Sequence, residues 1–208
     1  IAATHTPARY ILPDVVQQFV KRYPEVTIGL RQGNPAQICA MVEDGTADIA
    51  IGSETSQPSG NLAMIPCFQL ARSIIARKGD PILRIKRPTL EQIARYPIIT
   101  NDPAFSGRWR VIEAFRKYGL SPRFIFGIVD ADISKAYVER DIGIAILPTI
   151  AVDPAREKNL RTLDISHLFP PSTIYVTLRK TTYLRQFVLD FIQALAPSLT
   201  PAAVTTAL

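Results

Sequence analysis

Cysteine is nearly missing from this chain: 208 residues hold two, Cys39 and Cys67. They lie in a helical and a strand-like apolar context, so they read as buried free thiols of a reducing compartment rather than a disulfide framework. That places the chain in the cytoplasm. Histidine is as scarce, with His5 and His167 far apart and no close ligand pair, so no metal site is expected. His5 reads as structural. The lone tryptophan, Trp109, shares helical spacing with Ile112 and Phe115 and reads as core. No apolar stretch approaches the roughly 18 uncharged residues of a membrane helix. No basic segment leads into an apolar one, so no secretory signal is expected. Ile1 sits inside a strand pattern with no Met before it, which reads as a piece trimmed from a longer protein.

Catalytic signatures are missing too. No GxGxxG, P-loop, GxSxG or HExxH occurs, and no nucleophile–base pair emerges. Glu54, Asp102, Asp130 and Asp132 are explained as helix caps or solvated loop groups. Neither an enzyme nor a resident cofactor is expected. The net charge of +6 favours anionic partners, but Lys and Arg are spread along the chain as on a solvated basic surface. With no arginine-rich arm and no recognition helix behind a partner helix, direct DNA binding by these residues is not expected.

What is present is a globular composition, 47% hydrophobic and 20% charged, long enough for one large domain or two small ones. The pattern starts as a strand over Ile1–Thr4, with Thr6 as N-cap and Pro7 as first helical residue. On that reading Thr4 and Thr6 share one strand face and His5 points the other way. Leu12, Val15, Val16, Phe19, Val20 and Tyr23 keep helical spacing; Pro13 should kink or restart that helix and Pro24 end it. A strand is expected over Val26–Leu30. Asn34-Pro35-Ala36-Gln37 then offers a capping box, and Gly45 a C-terminal stop. Asp48–Gly52 is a short apolar strand of the kind covered on both faces.

The polar loop Gln57–Asn61 precedes strands over Ala63–Leu70 and Ser73–Ala76. Thr89 with Gln92 heads a short helix, and Ile98–Asn101 is a strand. A helix after Phe105-Ser106-Gly107 carries Trp109, Ile112, Phe115 and Val111, and Gly119 closes it. Phe124–Val129 is a strand. A helix capped by Asp130 or Asp132 follows with Ile133, Ala136 and Tyr137, and Gly143–Leu147 is a buried strand. The last strands are Leu160–Ile165 and Thr173–Leu178. Thr181 is expected to cap a long helix reaching Leu195, and Thr200-Pro201 to open a tail helix. The alternation is that of an α/β fold. Hydroxyl residues recur just past strands, at Thr4, Thr6, Ser53, Thr100 and Ser106. Ligands of open α/β sheets bind beyond the carboxyl ends of the strands, so these describe a cleft between two lobes.

The order of Tyr10-Ile11-Leu12-Pro13, Arg22-Tyr23-Pro24, Ala47-Asp48-Ile49-Ala50-Ile51 and Gly143-Ile144-Ala145-Ile146-Leu147-Pro148 resembles the effector-binding domain of LysR-type transcriptional regulators. Thr4-His5-Thr6, Met64-Ile65-Pro66-Cys67, Phe105-Ser106-Gly107-Arg108 and Val129-Asp130-Ala131-Asp132-Ile133 narrow the resemblance to the CysB-like branch, over essentially the whole chain. It implies two Rossmann-like lobes as in type II periplasmic binding proteins. Lobe I would hold 1–68 and 173–208, and lobe II 69–172, with crossovers near Pro66–Ala71 and Pro170–Ser172. It also implies a small anionic or zwitterionic inducer held by Thr4, Thr6, Ser53, Thr100 and Ser106, with no catalysis. The domain would form a homodimer, and the full-length protein a tetramer reading DNA through a winged helix-turn-helix absent here. Pro7 replaces the glutamine expected in the branch and Leu70 the tryptophan. A free-standing periplasmic oxyanion-binding protein is the rival that shares the architecture.

Overall fold

The computed structural model describes residues 1–55 and 59–208, so Gln57 and Pro58 of the expected polar loop lie outside the described residues. The chain divides into two compact units, Ile1–Gln69 with Thr173–Leu208, and Leu70–Ser172.

The first unit is built on β1 (Ala2–Ala3), flanked by the parallel strands β2 (Arg31–Gln32) and β3 (Ala50–Ser53). Beyond β3 lie β10 (Ser172–Arg179), antiparallel to it, and then β4 (Leu62–Leu70). β1 can be this short because Ala2 and Ala3 are wholly buried between two neighbours. The chain leaves it into α1 (His5–Tyr10), breaks at Ile11, and restarts as α2 (Leu12–Arg22) with Pro13 in the first turn. That is the restart Pro13 was expected to impose, because a proline lacks the N–H an interior turn needs. α3 (Pro35–Glu43) has the expected capping box: Gln37 N–H donates to Asn34 Oδ1 and Asn34 N–H to Gln37 Oε1, each at 2.9 Å. Gly45, at φ 84°, takes the left-handed turn beyond it. The α3 face of Ile38, Cys39 and Val42 packs on Ala2, Ala50 and Leu62 as one core.

Two expectations for this unit need correction. Val26–Leu30 is not a strand; the ladder starts at Arg31, whose N–H meets Ile1 O at 2.9 Å. Thr181 caps nothing, since α7 (Gln186–Leu195) starts after Arg185 and has no side-chain cap. The apolar face of α2 (Leu12, Val15, Phe19) is used inside its own unit. Phe19 meets Phe191 edge-on at 5.4 Å between centroids and Phe187 at 6.4 Å, while Val20 stays exposed. The tail helix α8 (Pro201–Ala207) does open at Thr200, whose hydroxyl accepts from Ala203 N–H.

The second unit has strand order β7-β6-β8-β5-β9. β6 (Ile98–Asn101) runs parallel to β7 (Phe124–Ile128) and β8 (Ile144–Pro148). β5 (Arg72–Arg77) is antiparallel to both β8 and β9 (Leu160–Asp164). Its core joins Ile74, Ile98, Ile144 and Ile146 of the sheet to Val111 and Phe115 of α5 (Ser106–Lys117) and to Leu90 and Ile93 of α4 (Leu90–Ala94). Thr89 and Gln92 form the expected capping box of α4. Asp130 caps α6 (Ala131–Glu139), accepting from Asp132 N–H at 2.7 Å.

On two helices the sheet decides which face is covered. On α5, Val111 and Phe115 are buried, whereas Trp109 is 55% exposed, so the tryptophan is not core. On α6, Ala131, Ser134, Lys135 and Val138 face inward and Ile133 faces out. Helical spacing fixes which residues share a face. It cannot choose between two apolar faces of the same helix.

Candidate functional site

In the first unit Thr4 follows β1 directly. Its N–H continues the ladder to Ile51 O at 3.0 Å, and the residue is 4% exposed. Since Ala3 is level with Ile51, Thr4 is level with Gly52, and Ser53 is the last residue of β3. A Cβ at position 52 would lie 2.8 Å from Thr4 Cγ2 and 2.6 Å from Ile38 Cδ1. The glycine is what lets the threonine lie against the neighbouring strand. Thr4, not Thr6, holds the N-cap position of α1, and its side chain makes no capping bond. Thr6 is half-buried inside α1, two residues on. The two threonines therefore do not share a strand face, and Pro7 is the third helical residue rather than the first. The helix begins earlier than read because proline is tolerated anywhere in a first turn whose N–H groups are unpaired.

In the second unit Thr100 lies in β6, fully buried, and its Oγ1 has no hydrogen-bond partner among the described residues. A buried hydroxyl left so is uncommon, because losing its water costs roughly 1–3 kcal/mol. Ser106, 8% exposed, is the first residue of α5, whose N-cap is Phe105 and carries no capping side chain. The N–H groups of Ser106 and Gly107 thus belong to the turn that has no carbonyl partner within the helix. Asp102 does not cap it either; its Oδ1 accepts from Ala104 N–H at 2.9 Å.

Sequence reading passed over one residue here, Arg72, by starting the strand at Ser73. Arg72 heads β5 opposite Pro148, the last residue of β8, and is 2% exposed. Alternation puts Arg72 on the face of Ile74, and Thr100 on the face of Ile98; both isoleucines belong to the core that α5 covers. The signal was therefore available, as an arginine two residues before a buried isoleucine. Its Nη2 donates to Ser172 Oγ, while Nε and Nη1 have no hydrogen-bond partner among the described residues. A Cβ on Gly107 would lie 2.5 Å from Nη2, so the guanidinium rests against the first turn of α5. Burial, with a smaller contribution from the Arg110 cation, lowers its pKa to about 10. Ser73 Oγ and Thr149 Oγ1 share a hydrogen bond of 2.7 Å on the same pair of strand ends.

The remaining chemistry-bearing groups have structural settings. Cys39 is buried and Cys67 half-buried, both are free, and burial raises both thiols, Cys67 to about 11. Cys67 is thus less enclosed than expected. His5 meets Tyr10 edge-on at 6.1 Å, and a ring nitrogen of His167 lies 2.9 Å from Pro88 O. Lys135, 5% exposed, is held by Ala151 O at 2.8 Å, by Asp132 at 2.7 Å and by Glu157.

The family of LysR substrate binding domains matches residues 1–200. The chain is 39% identical over its whole length to the HTH-type transcriptional regulator CysB of Burkholderia cenocepacia. It is 40% identical over 98% of its length to the regulator SsuR of the same organism. It spans 66% of the length of each of these relatives. Among solved structures, the cofactor-binding domain of the Cbl transcriptional regulator superposes with a TM-score of 0.93 at 33% identity, covering 99% of this chain and 90% of that one. The two mixed sheets are those of the type II periplasmic-binding-protein-like fold common to such domains. The chain belongs to the LysR substrate-binding domain family, with CysB, SsuR and Cbl regulators among its close relatives.

Proposed function

We propose that this chain is the effector-binding and oligomerisation part of a cytoplasmic LysR-type regulator of sulfur assimilation. It senses a small anionic or zwitterionic sulfur metabolite such as sulfate, thiosulfate or O-acetylserine, and catalyses nothing. DNA is read through a helix-turn-helix segment outside these residues. Similarity over the whole chain to CysB and SsuR supports this role. The observation that carries the site is the buried hydroxyl of Thr100, without a hydrogen-bond partner among the described residues, on the strand that leads into the uncapped start of α5. An oxyanion accepts from such hydroxyls and from free N–H groups at once, and a helix N-terminus favours its charge. Thr4, Thr6 and Ser53 supply the corresponding hydroxyls of the first unit. The effector would act by binding one arrangement of the oligomer more tightly than another and so shifting the DNA-bound population.

The test is calorimetric titration of sulfate, thiosulfate and O-acetylserine into wild type, Thr4→Val and Ser106→Ala, with melting curves alongside. A charge-assisted hydrogen bond contributes about 1.5–3 kcal/mol, so each substitution should weaken binding roughly ten- to a hundredfold. Ser106 is the cleaner probe, because it caps no helix and its loss leaves α5 intact. Unchanged affinity in both variants, for a ligand that wild type binds, overturns the hydroxyl assignment.

A further inference from the structure

We propose that Arg72, with Thr100 and the first turn of α5, forms an oxyanion subsite in the second unit and is the residue that selects a negatively charged ligand group. The inference rests on the effector-binding reading and adds the counter-charge to it.

Two buried cations in this unit make the contrast. Lys135 is closed in by two carboxylates and a carbonyl, as a buried charge normally is. Arg72 is as deeply buried, but its protein partner is a neutral serine hydroxyl and two of its nitrogens donate to nothing described. Its charged neighbour is a second cation, Arg110. Gly107 lets the guanidinium touch the first turn of α5, so it also sits at the positive end of a twelve-residue helix. On the same sheet face, one strand beyond β8, is Thr100, buried and without a hydrogen-bond partner among the described residues. Guanidinium and helix terminus both favour negative charge, and the Arg72 hydrogen bond that the described residues show goes to a neutral hydroxyl; the Asp102 carboxylate is turned to Ala104. Left alone, such an arrangement is destabilising. A carboxylate, sulfate or sulfonate group completes it, accepting from the free guanidinium N–H groups, the Thr100 hydroxyl and the N–H groups of Ser106 and Gly107. Arginine suits this better than lysine because its donors are fixed in a plane that matches an oxyanion.

The measurement is thermal melting and calorimetry of wild type, Arg72→Gln, Arg72→Lys and Thr100→Val. Sodium sulfate and thiosulfate are compared with sodium chloride at matched ionic strength, and O-acetylserine is a further probe. Wild type should melt higher in sulfate or thiosulfate than in chloride. In Arg72→Gln that rise should vanish, with affinity down about a hundredfold or more, since a buried charge pair loses one member. Arg72→Lys should restore part of it. In chloride, Arg72→Gln and Thr100→Val should melt at or above wild type, because each removes an unmet polar group. A merely structural Arg72 predicts the reverse, a lower melting temperature in chloride with the sulfate-induced rise retained, and that result overturns the subsite. If Arg72→Gln fails to fold, the structural role is shown and the proposal is overturned unless Thr100→Val folds and loses anion affinity. No response of wild type to either oxyanion also overturns it, whereas O-acetylserine binding in that case leaves the effector reading standing.

Discussion

At the residue scale, polar groups in this chain are either closed in by partners or left open, and the difference is testable. Asp190 belongs to the first kind. It is 8% exposed, accepts from Tyr23 Oη and from Gln186 Nε2 at 2.8 Å, and pairs with Arg22 at 2.7 Å. The Tyr23 hydroxyl, then the Gln186 amide and the Arg22 charge, hold its carboxyl below the ordinary range. A carboxylate whose folded pKa is depressed adds stability above its unfolded value, near about 4, and loses it as pH falls through the folded value. Asp190→Asn should therefore melt lower than wild type at pH 7, and the gap should close on acidification below about pH 4. A gap independent of pH would mean the carboxylate charge contributes nothing. The two thiols are simpler. Cys39→Ser places a hydroxyl against Ile38, Val42 and Ala50 and should cost about 1–3 kcal/mol if that hydroxyl stays unpaired. Cys67→Ser, at a half-buried position, should cost less. Neither should change ligand affinity, and a loss of affinity with intact melting would reveal a role for the sulfur.

Elements in this chain begin where local chemistry is strong. Both capping boxes, Asn34 with Gln37 and Thr89 with Gln92, close as their spacing demands. Asn34→Ala should cost about 1 kcal/mol in chemical denaturation, because α3 packs its inner face on the sheet and cannot fray freely. α1 and α5 differ: Thr4 and Ser106 stand at their starts without capping them. A helix start without a side-chain cap keeps its N–H groups available, at some cost in stability, and that is the pattern expected at a binding position. Gly52 tests the packing beneath one of these starts. Gly52→Ala forces Ile38 and Thr4 to shift and should destabilise by about 1–3 kcal/mol, as overpacking does. If the Thr4 hydroxyl holds ligand, the same substitution should weaken binding.

At the scale of the whole molecule, the prediction concerns assembly. A homodimer of this chain is expected from its family and from the apolar residues left at the surface. Val20 on α2 is 42% exposed and Trp109 on α5 is 55% exposed. Leu12, Val15 and Phe19 of α2 are buried within the unit, Phe19 against α7, so Val20 is the apolar residue α2 leaves for a partner. Light scattering at tens of micromolar should give the mass of a dimer. A strict monomer at high micromolar concentration would count against pairing through these residues.

Sequence alone determined the alternation of strands and helices, the two capping boxes, the restart at Pro13 and the stops at Gly45 and Gly119. Each depends on a few neighbouring residues whose backbone preferences are strong. It also carried the family, through short motifs spread over the chain, and with the family the fold. Other features waited for tertiary structure. Val26–Leu30 has the composition of a strand, but it meets β1 only at its end, where Gly29 O accepts from the Ile1 amino group at 2.8 Å, and pairing is decided by what lies alongside. Trp109 and Ile133 have helical spacing but face outward, because the sheet beneath decides which apolar face is covered. Thr4 and Thr6 separate because the helix begins one residue after Thr4, where β1 ends. Arg72 is the clearest case. Its charge suggests a surface residue. Its burial follows from strand register, Gly107 and the course of α5, all distant in sequence and adjacent only in the folded unit. Local preference fixes which element forms; only packing decides which polar groups are shut away from water without a partner.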